Sequence, residues 1–195
     1  MIDYLTYYYS KDKIPFQSLS ALPEDEAIDI MQSLYDDTPF GVRFKFPAEY
    51  LKSRKETEQW VREAFIAKGG RPESEFPICT VLGASNWLVN AAPDGSSHAE
   101  IRIPLSIFAE TDVSFTYPDS MVSRWFDLEK PPAYYQADVH GKVFTRTEIL
   151  AIVKARGMPE ENWHTNLPAD IAPYIEAQIW NHDVLLEYSK GILSV

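Results

Sequence analysis

Apolar and polar side chains alternate most clearly between residues 99 and 117. The apolar positions of this stretch are Ile101, Ile103, Leu105, Ile107, Val113, Phe115 and Tyr117. A period of two places such side chains on one face of a strand, and the polar residues near 109–112 interrupt it. The pattern therefore predicts a β-hairpin with its loop at 109–112. Because Pro104 cannot donate a backbone hydrogen bond, its strand is predicted to be an edge strand or to bulge there.

Other segments with strand-like patterns are residues 2–9, 42–46, 76–82 and 134–144, the last as one bulged strand or two short ones. Residues 76–82 form a continuous apolar run, which indicates a central strand buried on both faces. Helical spacing of apolar residues predicts helices at 23–35, 47–68, 146–156 and 173–181.

Two helices carry further local signals. Thr145 and Glu148 have the spacing of a capping box at the start of the third helix. In the second helix, residues 52–58 are polar on every side, so this half is predicted to be solvated, with support from ion pairs such as Arg54 with Glu58.

These elements predict a single α+β domain spanning residues 1–195. A chain of this length can bury a sizeable core without a disulfide or a metal. The expected architecture is a mostly antiparallel or mixed sheet of about five to six strands, covered on one face by about four helices.

Charge and aromatic content restrict the partners. With 18 basic and 29 acidic residues the net charge is −11, which repels nucleic acid, and we expect no nucleic-acid partner. Residues 40–71 are nevertheless basic, which suits an acidic ligand, an acidic patch on a second copy or a solvated helix face. The 26 aromatic residues, counted from 5 Trp, 11 Tyr and 10 Phe, fit an aromatic core, a cleft or a subunit interface.

Several functional classes have no support, because the sequence lacks their motifs. The chain lacks the motifs of dinucleotide-binding, P-loop, α/β-hydrolase, zincin and zinc-ribbon proteins. Cys79 is the only cysteine and lies in an apolar run, so we expect an inert thiol and no disulfide. The first residues lack a basic region followed by an apolar run, and no segment is long and apolar enough to span a bilayer, so a cytoplasmic protein without a membrane partner is expected.

One candidate site combines two pairs with a spacing of two residues. His98 with Glu100, and Asp138 with His140, each fall on a predicted strand, where this spacing places both side chains on one face. If the two strands are neighbours, the four side chains converge as ligands of a divalent metal such as zinc, iron or manganese. They also suit a general base with an orienting carboxylate. The alternative is polar residues on the wet face of a sheet.

A second candidate site follows the predicted hairpin. It combines rings, an acid, a hydroxyl and a guanidinium at a turn, and its residues are Tyr117, Asp119, Ser120, Arg124 and Trp125. Tyr134 and Tyr135, together with Trp125, are expected to bind ligand at the rim of the cleft of the first site. Loops with such side chains often bind ligands. A type I turn closed by the Asp119 side chain explains the same residues without a ligand.

Two functional hypotheses follow. The first is a non-catalytic interaction domain that binds itself as a homodimer, or another protein, through exposed aromatic side chains. The second is a small metal-assisted or acid-base enzyme, similar to a hydrolase, that uses His98, Glu100, Asp138 and His140. A stable dimer without bound metal favours the first hypothesis, and a monomer with bound metal favours the second.

Overall fold

The computed structural model describes residues 2–11, 13–91, 98–159 and 167–193, apart from the side chains of residues 91, 98, 192 and 193. Its strands are β1 (Tyr4–Ser10), β2 (Ile78–Leu82), β3 (His98–Pro104), β4 (Val113–Thr116), β5 (Val143–Phe144) and β6 (Glu176–Ile179). Its helices are α1 (Glu24–Leu34), α2 (Pro47–Ala67), α3 (Asn86–Ala91), α4 (Ser120–Glu129), α5 (Arg146–Arg156) and α6 (His182–Leu193). Short 3₁₀ turns lie at Leu19–Ala21, Gly41–Phe44 and Leu105–Ile107.

The six strands form one sheet in the order β3-β1-β2-β6-β4-β5, and every neighbouring pair is antiparallel. This confirms the predicted α+β class and the antiparallel sheet. β2 lies inside the sheet, between β1 and β6, as the continuous apolar run predicted. No helix in the described ranges has the length and apolarity needed to cross a membrane.

One face of the sheet is apolar. The strand registers place Leu5 opposite Leu82 and Ile103, and place Phe115 opposite Ala177 and Phe144, so these side chains share a face. α5 and α6 cover this face, and Ile149 and Leu185 belong to its fully buried cluster. This is the main hydrophobic core.

The opposite face is buried but largely polar in its middle. Its side chains include Thr6, Cys79, Ser114, Thr116, Glu176 and Gln178. The second half of α2 packs Val61 and Phe65 on Val143 and Trp180 at one end of this face. Because α2 lies here while α5 and α6 lie on the apolar face, helices cover both faces rather than the one face expected.

The predicted hairpin is wrong. Both of its strands exist, as β3 and β4, but β1, β2 and β6 lie between them. The chain leaves β3 through the 3₁₀ turn at Leu105–Ile107, whose first amide donates to the carbonyl of Asp3 at 2.8 Å. Alternation identifies the buried face of a strand, but it does not identify the strand's partner. The prediction for Pro104 is confirmed, since β3 is an edge strand of the described sheet and pairs there with β1 alone.

Three other predicted elements differ. Residues 42–46 contain the 3₁₀ turn Gly41–Phe44 instead of a strand, with Phe44 packed in the α1–α2 cluster while Val42 and Phe46 are exposed. In residues 134–144 most positions form turns, and only β5 is a strand. Residues 173–181 contain β6 rather than a helix, because Glu176 and Gln178 alternate with Ala177 and Ile179.

The remaining helices follow the sequence closely. α1, α2 and α5 lie at their predicted positions, and α5 begins with the predicted capping box, in which Thr145 and Glu148 each accept from the other's backbone amide. The predicted ion pair between Arg54 and Glu58 is present as well. Its environment differs from the expectation, because Glu58 is buried beneath α2 rather than solvated.

Candidate ligand-binding pocket

A pocket of about 540 Å³ lies between α2, α4 and the 3₁₀ turn Gly41–Phe44. This volume is within the usual range for small-molecule sites, roughly 300–1,000 Å³. The pocket is lined by Arg43, Tyr50, Ser53, Glu56, Thr57, Asp119, Met121, Val122, Arg124, Trp125, Leu128, Asp170 and Ile171. Thr57 and Asp119 are buried, whereas Glu56 and Asp170 are exposed, so the former belong to its inner wall and the latter to its rim.

Asp119 joins the pocket to the start of α4. One carboxylate oxygen, Oδ1, accepts from the amides of Met121 and Val122 at 3.1 and 3.2 Å, which makes Asp119 the helix N-cap. The other oxygen accepts from the hydroxyl of Tyr174 at 3.1 Å. Burial, and then the nearby charge of Glu176, raise the pKa of Asp119 to about 6, against the lowering effect of Arg43. Its carboxyl therefore titrates close to neutral pH.

A buried hydrogen-bond network lies behind Asp119. Glu176 accepts from the amide of Ser120 at 2.9 Å and from the side-chain amide of Gln178 at 3.2 Å. Gln178 also donates to Thr116 at 3.1 Å and accepts from the hydroxyl of Ser114 at 2.8 Å. These bonds satisfy the polar face of β4 and β6, and they hold the first turn of α4 against the sheet.

Arg43 provides the first positive charge of the pocket. Its guanidinium carbon lies 4.9 Å from the ring centroid of Phe40 and 5.3 Å from that of Trp87. Its Nε is buried without a hydrogen-bond partner among the described residues. Burial disfavours its charge, but the surroundings, including Tyr50 and Asp119, outweigh this effect and raise the pKa of Arg43. The guanidinium is therefore charged at any physiological pH.

Arg124 provides the second positive charge. It projects from α4 and donates to the hydroxyl of Thr57 on α2 at 3.3 Å. Within the described ranges, neither Arg124 nor Arg43 has a carboxylate oxygen within 4.0 Å. Two guanidinium groups thus line one pocket without a bonded counter-ion.

A buried ion pair lies beneath α2, outside the lining of the pocket. Nε of Arg54 lies 2.9 Å from Oε1 of Glu58 and also donates to the hydroxyl of Ser20 at 3.2 Å. The terminal nitrogen of Arg54 donates to Sγ of Cys79 at 3.6 Å. Burial and the charge of Glu176 raise the pKa of the Cys79 thiol well above its usual value, so the sulfur stays protonated. This agrees with the expectation of an inert thiol.

The structure brings three residues of the second predicted site together, since Asp119, Arg124 and Trp125 all line the pocket. Ser120 is the first residue of α4, and its amide binds Glu176 behind the pocket. Tyr117 is buried in the apolar core on the other face of the sheet.

The two predicted rim tyrosines lie beside the pocket rather than in its lining. Tyr134 stacks on Phe126 with ring centroids 6.0 Å apart. The hydroxyl of Tyr135 donates to Asp127 at 3.1 Å. Both belong to the cluster around Phe126 and Ile171.

The first predicted site is not assembled among the described residues. Glu100 lies on β3, at one edge of the sheet. His98 is on the same strand, but its side chain is not among those that the structure describes. Asp138 and His140 lie in turns just before β5, at the opposite edge, not on a strand. Five inter-strand steps separate β3 from β5, roughly 24 Å at the usual spacing.

The side chains at the β5 end have other partners. Asp138 forms an ion pair with Arg156, and Nδ1 of His140 accepts from the amide of Gln136 at 2.9 Å. Burial lowers the pKa of His140 to about 4. The described ranges contain no group of three metal-binding side chains, so the donor set expected for a shared divalent metal does not fit here.

Sequence reasoning missed most of the inner wall. Arg43, Tyr50 and Thr57 line the pocket, and Tyr174 and Glu176 lie behind Asp119. These residues come from three separate segments that only the tertiary fold brings together. One signal was available, because Glu176 and Gln178 alternate with apolar residues as in a strand. Comparisons with known protein families, with curated proteins and with solved structures find no match.

Proposed function

We propose that the protein binds a small molecule through a single oxyanion group, a carboxylate or a phosphate, in the pocket between α2 and α4. The observation that carries this proposal is the pair Arg43 and Arg124, which line one pocket and have no bonded counter-ion among the residues that the structure describes. A partly buried charge is costly unless it is paired and hydrogen-bonded. A bound oxyanion supplies both the missing charge and the missing acceptors.

The chemistry of guanidinium groups supports an oxyanion as the ligand. Their planar donors match the geometry of carboxylates and phosphates, and charge-assisted hydrogen bonds are about twice as strong as neutral ones. The guanidinium of Arg43 contacts two aromatic rings, and Arg124 donates to Thr57, so both donors are already positioned. Little side-chain freedom is therefore lost when the ligand binds.

The other walls define the rest of the ligand. Apolar side chains form much of the lining, namely Met121, Val122, Trp125, Leu128 and Ile171. They suit an apolar body, and an aromatic ring can stack on Trp125, a residue that is 46% exposed. The exposed acids Glu56 and Asp170 repel polyanions at the rim, so one compact charged group with an apolar body fits best.

The test is calorimetric titration with three probes of the same shape, namely phenylacetate, phenyl phosphate and neutral 2-phenylethanol. We expect at least one of the anions to bind at least tenfold more tightly than the alcohol, and the comparison between them distinguishes a carboxylate from a phosphate site. Equal affinity for all three probes, or binding of none, contradicts the proposal.

Two variants locate the binding. Arg124→Gln retains a hydrogen-bond donor for Thr57 but removes the charge, and it should weaken binding of the anion about tenfold or more, as expected for loss of a charge-assisted bond. Arg71→Gln removes an exposed arginine outside the lining and serves as the matched control. An unchanged affinity in Arg124→Gln, with folding verified by circular dichroism, contradicts the assigned site.

A further inference from the structure

The outer edge of β3 is the longest free sheet edge in the described part of the chain. β3 pairs with β1 over seven residues, whereas the opposite edge strand, β5, has only two. The amide of Leu105 donates to the carbonyl of Asp3, and this bond fixes which residues of β3 face β1. Since hydrogen-bonded positions alternate in an antiparallel pair, Ile101 and Ile103 bond to β1, and the backbone groups of Glu100 and Arg102 point outward.

A side-chain contact supports this orientation. The hydroxyl of Tyr188, on α6, donates to the backbone carbonyl of Arg102 at 3.0 Å, from outside the β1–β3 pair. A carbonyl oxygen has two lone pairs, so this oxygen can accept a second hydrogen bond. Among the described residues, Tyr188 contacts this edge at one point and no strand pairs with it.

The side chains on this edge carry opposite charges two residues apart. Arg102 and Glu100 form an ion pair at 3.0 Å within the strand, and their side chains are 60% and 41% exposed. Ile101 and Ile103 point to the buried apolar core instead. The exposed face of β3 thus presents one acid and one base on either side of Ile101.

We propose that a second copy of this chain pairs with β3 through the same edge, with the two strands antiparallel about a two-fold axis at Ile101. In this register Glu100 of each copy lies opposite Arg102 of the other. Both are residues whose backbone groups point outward, so each of the two pairs forms two backbone hydrogen bonds. The result is an isologous contact that continues the sheet from six to twelve strands.

Charge complementarity selects a second copy as the occupant. Charged side chains commonly protect an edge from pairing, since like charges opposite each other repel. On β3 the two-fold operation places opposite charges together, so the same side chains favour pairing. Pro104 ends the ladder, because it lacks an amide hydrogen, and limits the contact to one short strand. This proposal does not depend on the pocket.

Sedimentation velocity over a range of concentrations tests the proposal with the full chain. The wild type is expected to dimerise, while Glu100→Arg and Arg102→Glu each place like charges opposite each other and should weaken self-association at least tenfold. An equimolar mixture of these two variants restores opposite pairs and should form a heterodimer. The double variant E100R/R102E should dimerise like the wild type, and Glu63→Arg, an exposed change on α2, is the control.

Several results overturn the proposal. One is a wild type that stays monomeric at its highest soluble concentration. Another is a dimer that both single charge reversals leave intact, because the interface then lies elsewhere. The third is a mixture of the two single variants that stays monomeric although circular dichroism shows that each variant is folded. This result contradicts the proposed pairing of Glu100 with Arg102.

Discussion

Arg54 and Glu58 form an ion pair, with Nε and Oε1 2.9 Å apart, inside a helix segment whose sequence is polar on every side. Glu58 is only 2% exposed. The pair is buried because this half of α2 covers the polar part of the sheet, where Glu176 and Gln178 lie, instead of facing solvent. A polar helix surface therefore contacts a polar sheet surface inside the protein.

Replacement of Glu58 by Gln should destabilise the protein strongly. It leaves the buried charge of Arg54 without its main partner, and breaking a buried ion pair in this way typically costs about 3–5 kcal/mol. Urea unfolding gives the free energy of unfolding of each variant. Glu63→Gln, which lies five residues further along α2 and is exposed, should change it by less than about 0.5 kcal/mol. Equal effects of the two substitutions contradict the structural role of the pair.

Asp119 should make stability depend on pH in a characteristic direction. Burial, and then Glu176, raise its pKa from 3.8 to about 6 in the folded state. A raised folded pKa contributes stability that is complete below about pH 3.8 and is lost as the pH rises through 6. Asp119→Asn keeps an N-capping side chain but does not titrate.

The stability of the wild type relative to Asp119→Asn should therefore decrease as the pH rises. The difference between their free energies of unfolding should fall by about 1–3 kcal/mol between about pH 4 and pH 7.5, a range that follows from the size of the pKa shift. Urea unfolding of both proteins at the two pH values measures this. A difference that does not vary with pH shows that the carboxyl is not perturbed in this way.

His140 should have the opposite dependence. Burial lowers its pKa from 6.5 to about 4, and its ring lies 4.9 Å from that of Phe126. Because the pKa of His140 is lower in the folded state than in the unfolded state, the neutral imidazole stabilises the fold. This contribution is complete above pH 6.5 and is lost as the pH falls towards 4. In NMR spectra, the imidazole C–H signals of His140, assigned by their loss in His140→Asn, should stay at the neutral position down to about pH 5. A titration midpoint near the usual histidine value contradicts this prediction.

Ligand affinity should follow the protonation of Asp119. In the proposed complex the anion lies near this carboxyl, so protonation of Asp119 removes a repulsive charge and binding takes up protons. Phenylacetate should therefore bind more tightly at about pH 5.5 than at about pH 7.5, a range in which an ordinary carboxyl stays ionised. Asp119→Asn should abolish most of this dependence in calorimetric titrations. Tighter binding at the higher pH runs against the proposed geometry.

The sequence predicted best where local patterns decide the structure. The capping box at Thr145 and Glu148 and the apolar spacing of α1, α2 and α5 need only nearby residues, and all are present. Asp119, Arg124 and Trp125 were predicted as a group because they are close in the chain, around one turn and the helix that follows it.

Features set by distant segments were not predicted. The alternation in residues 99–117 identified two strands but not their partners. β3 pairs with β1, whereas β4 pairs with β5 and β6. The contribution of Arg43 to the pocket depends on a 3₁₀ turn that was predicted as a strand. The polar residues of α2 suggested exposure, whereas Glu58 is buried in an ion pair with Arg54 on the polar side of the sheet, where Glu176 and Gln178 are buried as well.

The most direct test of the central claim is a crystal structure of the protein with 4-bromophenylacetate, in which anomalous scattering locates the bromine. We expect the bromine between the apolar side chains of Met121 and Trp125, with the carboxylate within hydrogen-bond distance of the guanidinium groups of Arg43 and Arg124. A bromine peak outside this pocket, a carboxylate turned towards the acidic rim, or no peak at saturating ligand contradicts the proposed function.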